Sequence, residues 1–192
     1  MKKLILIGDS IRMGYQAAVI RELIGLTDVW APEQNGGNSA NILKHLDEWV
    51  LRQSPDIVHI NCGLHDLRKD FDTAQPAIPL DEYEANVRRI IGRILAETHS
   101  TVIWATTTPV NEAWHHQRKG FDRLEADVDA YNGVAVGIAK ALGIPINNLF
   151  EVVNPDHLQP DGVHLTDAGC ALLGKAVAEY IKPFLDVELH NS

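Results

Sequence analysis

Cysteine is nearly missing from this chain. Cys62 and Cys170 are the only two in 192 residues, far apart and outside any paired spacing. That excludes a disulfide framework and the usual zinc and redox motifs, and leaves two reduced, buried thiols as the expectation. Long apolar runs are missing too: none approaches the roughly 18 residues of a membrane span. The run Leu4-Ile5-Leu6-Ile7 near the amino terminus is too short for a signal peptide and is needed as a strand. The expectation is a soluble, cytoplasmic protein. Positive charge is in deficit, with 17 Lys and Arg against 26 Asp and Glu and a net charge of −9. That argues against nucleic acid or an anionic membrane as partner and leaves neutral substrates such as sugars and esters unopposed. No internal repeat, low-complexity tract or linker divides the chain, so its length implies a single domain, 1–192, with a sizeable core.

What the chain does have is alternation. Apolar, β-branched runs at 3–7, 29–31, 57–62, 101–107 and 144–147 read as strands. Between and after them lie segments of helical period: 13–24, with Met13, Ala17, Ile20 and Ile24 on its inner face; 39–52, with Ile42, Leu46 and Trp49 inward; 81–98, with Asp81 as cap and Glu84 completing a capping box; 122–142; and 166–184, opened by Thr166. Segments 68–79 and 110–120 read as loops, the second carrying Trp114, His115 and His116. Strands alternating with helices imply a parallel sheet covered on both faces, a three-layer αβα arrangement. Right-handed crossovers and a short, wholly apolar first strand favour a five-stranded order 2-1-3-4-5.

In such a sheet every strand-to-helix loop opens on one edge, where ligand sites lie. Gly8-Asp9-Ser10 ends the first strand. Asn35-Gly36-Gly37-Asn38, Gly63-Leu64-His65-Asp66 and Asp161-Gly162-Val163-His164 open on the same edge. Ser10 reads as a nucleophile, although Asp or Ser before a helix is also an ordinary N-cap. The turn is not the G-x-S-x-G elbow, because Arg12 stands where the second glycine belongs. A serine hydroxyl needs a general base, and the base needs an orienting group. His164 is the candidate base, and Asp161, three residues earlier, is the candidate orienting carboxylate. The alternative for that pair is a plain Asx-turn before Gly162. Acyl transfer also needs donors aimed at a developing oxyanion. Ser10 N–H, Gly37 N–H and the His65 ring are the candidates. Asp9 and Asp66 are expected to brace these loops by accepting backbone N–H bonds, and His59 and Asn61 to be buried in the sheet. The adjacent His115 and His116 diverge too far to share a metal; no metal and no organic cofactor are expected.

These blocks resemble the SGNH, or GDSL-type, hydrolases: flavodoxin-like esterases and lipases. Gly8-Asp9-Ser10 matches the family's first block, Gly37 the second block's glycine, Gly63-Leu64-His65-Asp66 the third block and Asp161-Gly162-Val163-His164 the fifth. The resemblance covers nearly the whole chain. It implies a serine ester hydrolase with Ser10, His164 and Asp161 as the catalytic set, acting on a small-molecule ester without a cofactor. Within the family's range, a short acyl group such as acetyl on a carbohydrate is expected. A thioesterase or lysophospholipase, or a non-catalytic flavodoxin-like binding domain, are the alternatives. One departure stands out: the family's third-block asparagine is His65 here. An amide donates at any pH, whereas a neutral imidazole donates from one nitrogen only.

Overall fold

The computed structural model describes residues 1–185; residues 186–192, the end of the expected 1–192 domain, lie outside that range. The chain runs through β1 (Lys3–Ile7), α1 (Ser10–Glu22), β2 (Asp28–Trp30), α2 (Ser39–Trp49), β3 (Ile57–Ile60), β4 (Lys69–Asp70), α3 (Leu80–Glu97), β5 (Thr101–Ala105), α4 (Glu112–Arg118), β6 (Phe121–Asp122), α5 (Glu125–Ala141), β7 (Ile146–Asn147) and α6 (Asp167–Leu185). Five strands form one sheet in the order β2-β1-β3-β5-β7. Every pair in it is parallel. Counting only those strands, this is the 2-1-3-4-5 order that the sequence suggests.

β1 is central because Leu4, Ile5, Leu6 and Ile7 are fully buried, as a strand covered on both faces requires. Each such side chain contributes roughly 1.5–3 kcal/mol through burial. β1 pairs on one side with β2, Leu4 facing Val29. On the other it pairs with β3, Leu4 facing Ile57 and Ile7 facing Ile60. The chain reverses its direction across the sheet after β2. With right-handed crossovers, α1 therefore lies on the opposite face from α2, α3 and α5. The helix contacts agree: α1 packs on α6, α2 on α3, and α3 on α5. The reversal opens a crevice at the carboxyl ends of β1 and β3, the usual ligand position in open α/β sheets. No helix among the described residues is long and apolar enough to cross a membrane.

Four local expectations are corrected. In α1 the buried face is Ile11, Tyr15, Ala18 and Val19, with Arg12. Met13, Ile20 and Ile24 are exposed. Both stripes have helical spacing; the close approach of α6 selects between them. A Cβ added at Gly174 would meet Ala18 Cβ at 2.5 Å. At α3, Asp81 is no cap: the helix starts at Leu80 after Pro79, without a side-chain cap. Asp81 and Glu82 instead place negative charge in the first turn, and Glu84 pairs with Arg88. Segment 110–120 is not a loop but mostly the helix α4, capped by Asn111. The helix expected from 122 starts only at Glu125, because Asp122 belongs to β6, which pairs antiparallel with β4 inside the other expected loop. Two-residue strands carry too little pattern to be read. Thr166 does accept the Gly169 N–H at 3.2 Å, capping α6.

Candidate active site

Asp9 decides what Ser10 is free to do. The Asp9 side chain, fully buried, accepts the Ile11 N–H at 2.9 Å and caps α1. Capping is thereby done by the aspartate, and the neighbouring serine hydroxyl is available. Ser10 is the first residue of α1, where backbone N–H groups have no partner within the helix.

Ser10 Oγ lies 3.0 Å from His164 Nε2, and His164 Nδ1 lies 2.6 Å from Asp161 Oδ2. A carboxylate only accepts, so the hydrogen of that second bond is on Nδ1 and the Nε2 lone pair faces the hydroxyl. The loop that presents them is tightly held. Leu158 and Leu165 form an isolated bridge, and Gln159 N–H donates to the His164 carbonyl at 2.6 Å. Asp161 Oδ1 accepts the N–H groups of Val163 and His164 at 3.1 and 3.0 Å. Burial pushes the Asp161 carboxyl up, but the bonds from the His164 ring and the two backbone groups outweigh it and hold it at about 2. It is therefore ionised across the neutral range. Gly162 has φ +75°, and a Cβ there would strike the Asn111 carbonyl, so only glycine fits. This relay can take a proton from Ser10 and hold the resulting imidazolium beside a fixed negative charge.

Comparison with known proteins places the chain. The profile of the GDSL-like lipase/acylhydrolase family matches residues 6–172. The chain belongs to that family. An acetylxylan esterase of Geobacillus stearothermophilus is 26% identical over 211 residues, covering 91% of each chain. An isoamyl acetate-hydrolyzing esterase 1 homolog of Mus musculus is 28% identical over 146 residues, 66% of this chain and 59% of that one. A lipase/acylhydrolase crystal structure from Enterococcus faecalis superposes with TM-score 0.78 at 26% identity, covering 95% of this chain and 96% of that one. The crystal structure of the Geobacillus stearothermophilus acetylxylan esterase Axe2 has TM-score 0.73 at 22% identity, covering 100% and 97%. This GDSL acylhydrolase is thus a carboxylic ester hydrolase.

The expected oxyanion donors of the acylhydrolase are held differently. Gly36 N–H donates to the Gly8 carbonyl at 3.0 Å, drawing the second block against the first. A Cβ at Gly36 would lie 2.6 Å from that carbonyl oxygen. Gly37 follows at φ +61°, but its N–H is committed to Asn35 Oδ1 at 2.8 Å. It can meet an oxyanion only once the Asn35 amide turns away. The His65 ring is half-buried and has no hydrogen-bond partner among the described residues. Burial depresses its basicity; Asp9 opposes this, while Arg123, Arg68 and His164 add to it. His65 is therefore a neutral ring at neutral pH, able to donate one N–H.

Asp66 accepts the Ser39 N–H at 2.9 Å and fastens the third block to the start of α2. Its carboxyl is pushed up to about 7 by burial, against the Ser39 hydrogen bonds. Asp9 and Asp66 thus brace backbone, as expected. His59 and Asn61 are buried: Asn147 Nδ2 donates to His59 Nε2 at 3.1 Å, and Asn61 Nδ2 donates to the Ala105 carbonyl at 3.1 Å. His116 is exposed and pairs with Asp122 at 2.8 Å. His115 is fully buried instead. Sequence reasoning assigned no contact to three neighbours of the site. Arg12, buried in α1, donates to the Gln34 carbonyl at 2.8 Å behind the second block. Lys119 Nζ lies 3.6 Å from Asp161 Oδ2. Asn35 occupies the Gly37 donor.

A groove of about 420 Å³ opens beside Ser10 and His164, lined by Ala17 and Arg21 of α1, by Gln159, and by Asp167 and Cys170 of α6. Among the described residues, no three His, Cys, Asp or Glu side chains group together as a metal site.

Proposed function

We propose that this enzyme removes short acyl groups, acetyl above all, from a carbohydrate or similar small alcohol, with Ser10 as nucleophile. The observation that carries the reading is the relay from Ser10 Oγ to His164 Nε2 and from His164 Nδ1 to Asp161, at 3.0 and 2.6 Å. Ser10 attacks the ester carbonyl while His164 takes its proton at Nε2. Asp161 fixes the ring and stabilises the imidazolium. His164 then returns the proton to the leaving alcohol, and water clears the acyl-enzyme by the same steps in reverse. Ser10 N–H, the His65 ring and, once released, Gly37 N–H receive the oxyanion.

The leaving alcohol must depart on the side of the acid that protonates it. The groove beside His164 is therefore where the alcohol lies, and Arg21, Gln159 and Asp167 along it offer donors and acceptors suited to hydroxyls. The acetylxylan and isoamyl acetate esterases among the relatives support an acetyl group. The test is kcat/KM on p-nitrophenyl acetate, butyrate and octanoate and on acetylated xylo-oligosaccharides, wild type against Ser10→Ala. Acetyl preference with loss in Ser10→Ala is the expected result. Rates rising steadily with chain length would point to a lipase or thioesterase instead, because each buried methylene adds about 0.8 kcal/mol. Equal rates in the two proteins would remove the nucleophile.

A further inference from the structure

His115 and Arg123 are among the least exposed polar side chains of the protein, at 0% and 6%, and the proton relay uses neither. They lie on either side of β6. His115 Nδ1 is 3.0 Å from the backbone carbonyl of Asp161. A carbonyl only accepts, so Nδ1 carries the hydrogen and Nε2 of the neutral ring is an acceptor. Facing it at 3.4 Å is Arg123 Nη1, which only donates. Arg123 Nε in turn donates to the carbonyl of Leu64 at 2.6 Å. That carbonyl belongs to the peptide that leads into His65. A continuous chain of hydrogen bonds, donated outward from Arg123 to both sides, therefore links the loop holding Asp161 and His164 to the loop holding His65.

The surroundings fix this chain at both ends. Asn111 N–H donates to the Gly162 carbonyl at 2.7 Å, so the start of α4 is tied to the acid loop a second time. β6 pairs with β4, which continues from the third block, Lys69 facing Asp122. The Phe121 ring is covered by Arg68 at 4.0 Å and by Arg123 at 5.0 Å. Burial lowers His115 basicity; the bond to Asp161 opposes this and the Arg123 charge adds to it, keeping the ring neutral. Arg123, lowered to about 10 by burial, stays charged at neutral pH.

We propose that His115 and Arg123 are positioning residues: a clamp that sets the spacing between the acid–base loop and the oxyanion loop through the chain Asp161–His115–Arg123–Leu64. Neither touches substrate. The clamp acts through Asp161 and His65, and it rests on the serine-hydrolase reading given above. A fork-shaped guanidinium is required, because one cation must donate to Leu64 with Nε and to His115 with Nη1 at once; an ammonium cannot span both. A displacement of about 1 Å at a reacting group costs up to ~100-fold in rate.

The test compares His115→Leu, His115→Asn, Arg123→Met and Arg123→Lys with wild type on p-nitrophenyl acetate. His115→Asn keeps a donor near the Nδ1 position and loses the acceptor for Arg123. The expected result is a kcat loss of ~10- to 100-fold in His115→Leu and Arg123→Met with KM within about twofold. His115→Asn recovers part of the loss, Arg123→Lys recovers little, and the double variant His115→Leu/Arg123→Met is no worse than the poorer single one. Wild-type kcat in folded His115→Leu and Arg123→Lys proteins overturns the clamp; so does full recovery by lysine, which would make Arg123 a simple charge. Should His115→Leu fail to fold, His115→Asn and Arg123→Lys still decide. A wild-type enzyme that hydrolyses no ester removes the reading beneath the clamp instead. The downfield NMR proton between His164 and Asp161 then tests it without turnover: it shifts or broadens in the Arg123 variants if the clamp holds and stays put if it does not.

Discussion

His164 Nε2 lies 3.0 Å from Ser10 Oγ across a sequence separation of 154 residues. β1 delivers the serine to the centre of the sheet edge, and the last loop before α6 delivers the histidine to the same point. α1 begins at Ser10 and α6 begins just after His164, and the two helices pack along their length. Helix packing on the α1–α6 face is therefore what holds the two groups in register.

His65, the proposed oxyanion donor, is an imidazole where the family's third block carries an amide. His65→Ala is expected to lower kcat on p-nitrophenyl acetate by ~10²- to 10³-fold, the usual loss for one oxyanion donor, with little change in KM. His65→Asn, which restores an amide donor, is expected near wild type. Unchanged kcat in His65→Ala would show that the ring donates nothing to the transition state.

Asn35 holds the Gly37 N–H at 2.8 Å. Asn35→Ala removes that competitor, and kcat is expected to rise by a few-fold while KM stays level. Steady-state kinetics on p-nitrophenyl acetate read this directly. A fall in kcat would mean that the Asn35 bond shapes the loop rather than blocking the donor.

Asp66 carries a stability prediction with a definite sign. Its folded carboxyl titrates at about 7, against roughly 4 in an unfolded chain. Between those values the folded protein binds the extra proton, so this group makes stability fall as pH rises through that window, and adds nothing further above it. Asp66→Asn keeps an oxygen for the Ser39 N–H and removes the titration. Thermal melts at pH 5 and pH 8 are expected to show a smaller drop in Tm for Asp66→Asn than for wild type, with the variant the more stable at pH 8. Parallel drops would show that Asp66 is not the group responsible.

The sheet was legible because its strands are continuous apolar runs: Leu4 to Ile7 has no other plausible use than a buried strand. The order of the four blocks likewise pointed to one sheet edge, since every parallel strand ends there. What escaped depended on tertiary choice. α1 has two stripes of helical spacing, and only the approach of Gly174 decides that Tyr15 and Ala18 go inward and Ile20 outward. α4 is short and carries Trp114, His115 and His116 among charged neighbours, a polar pattern that hides the burial of His115. Arg123 fell inside an expected helix; the pairing of β6 with β4 delays the start of that helix to Glu125 and frees the guanidinium to reach Leu64. The hold of Asn35 on Gly37 is a matter of rotamer, which no spacing reveals.

The hydrolase reading requires that Ser10 be a hydroxyl made nucleophilic by His164. A fluorophosphonate probe, which bonds covalently to activated serines, tests it without any assumption about substrate. Intact mass and peptide mapping are expected to find one adduct, on Ser10, absent in Ser10→Ala and formed ~10³-fold or more slowly in His164→Ala. An adduct on another residue, or labelling of Ser10 at the same rate without His164, would contradict the account.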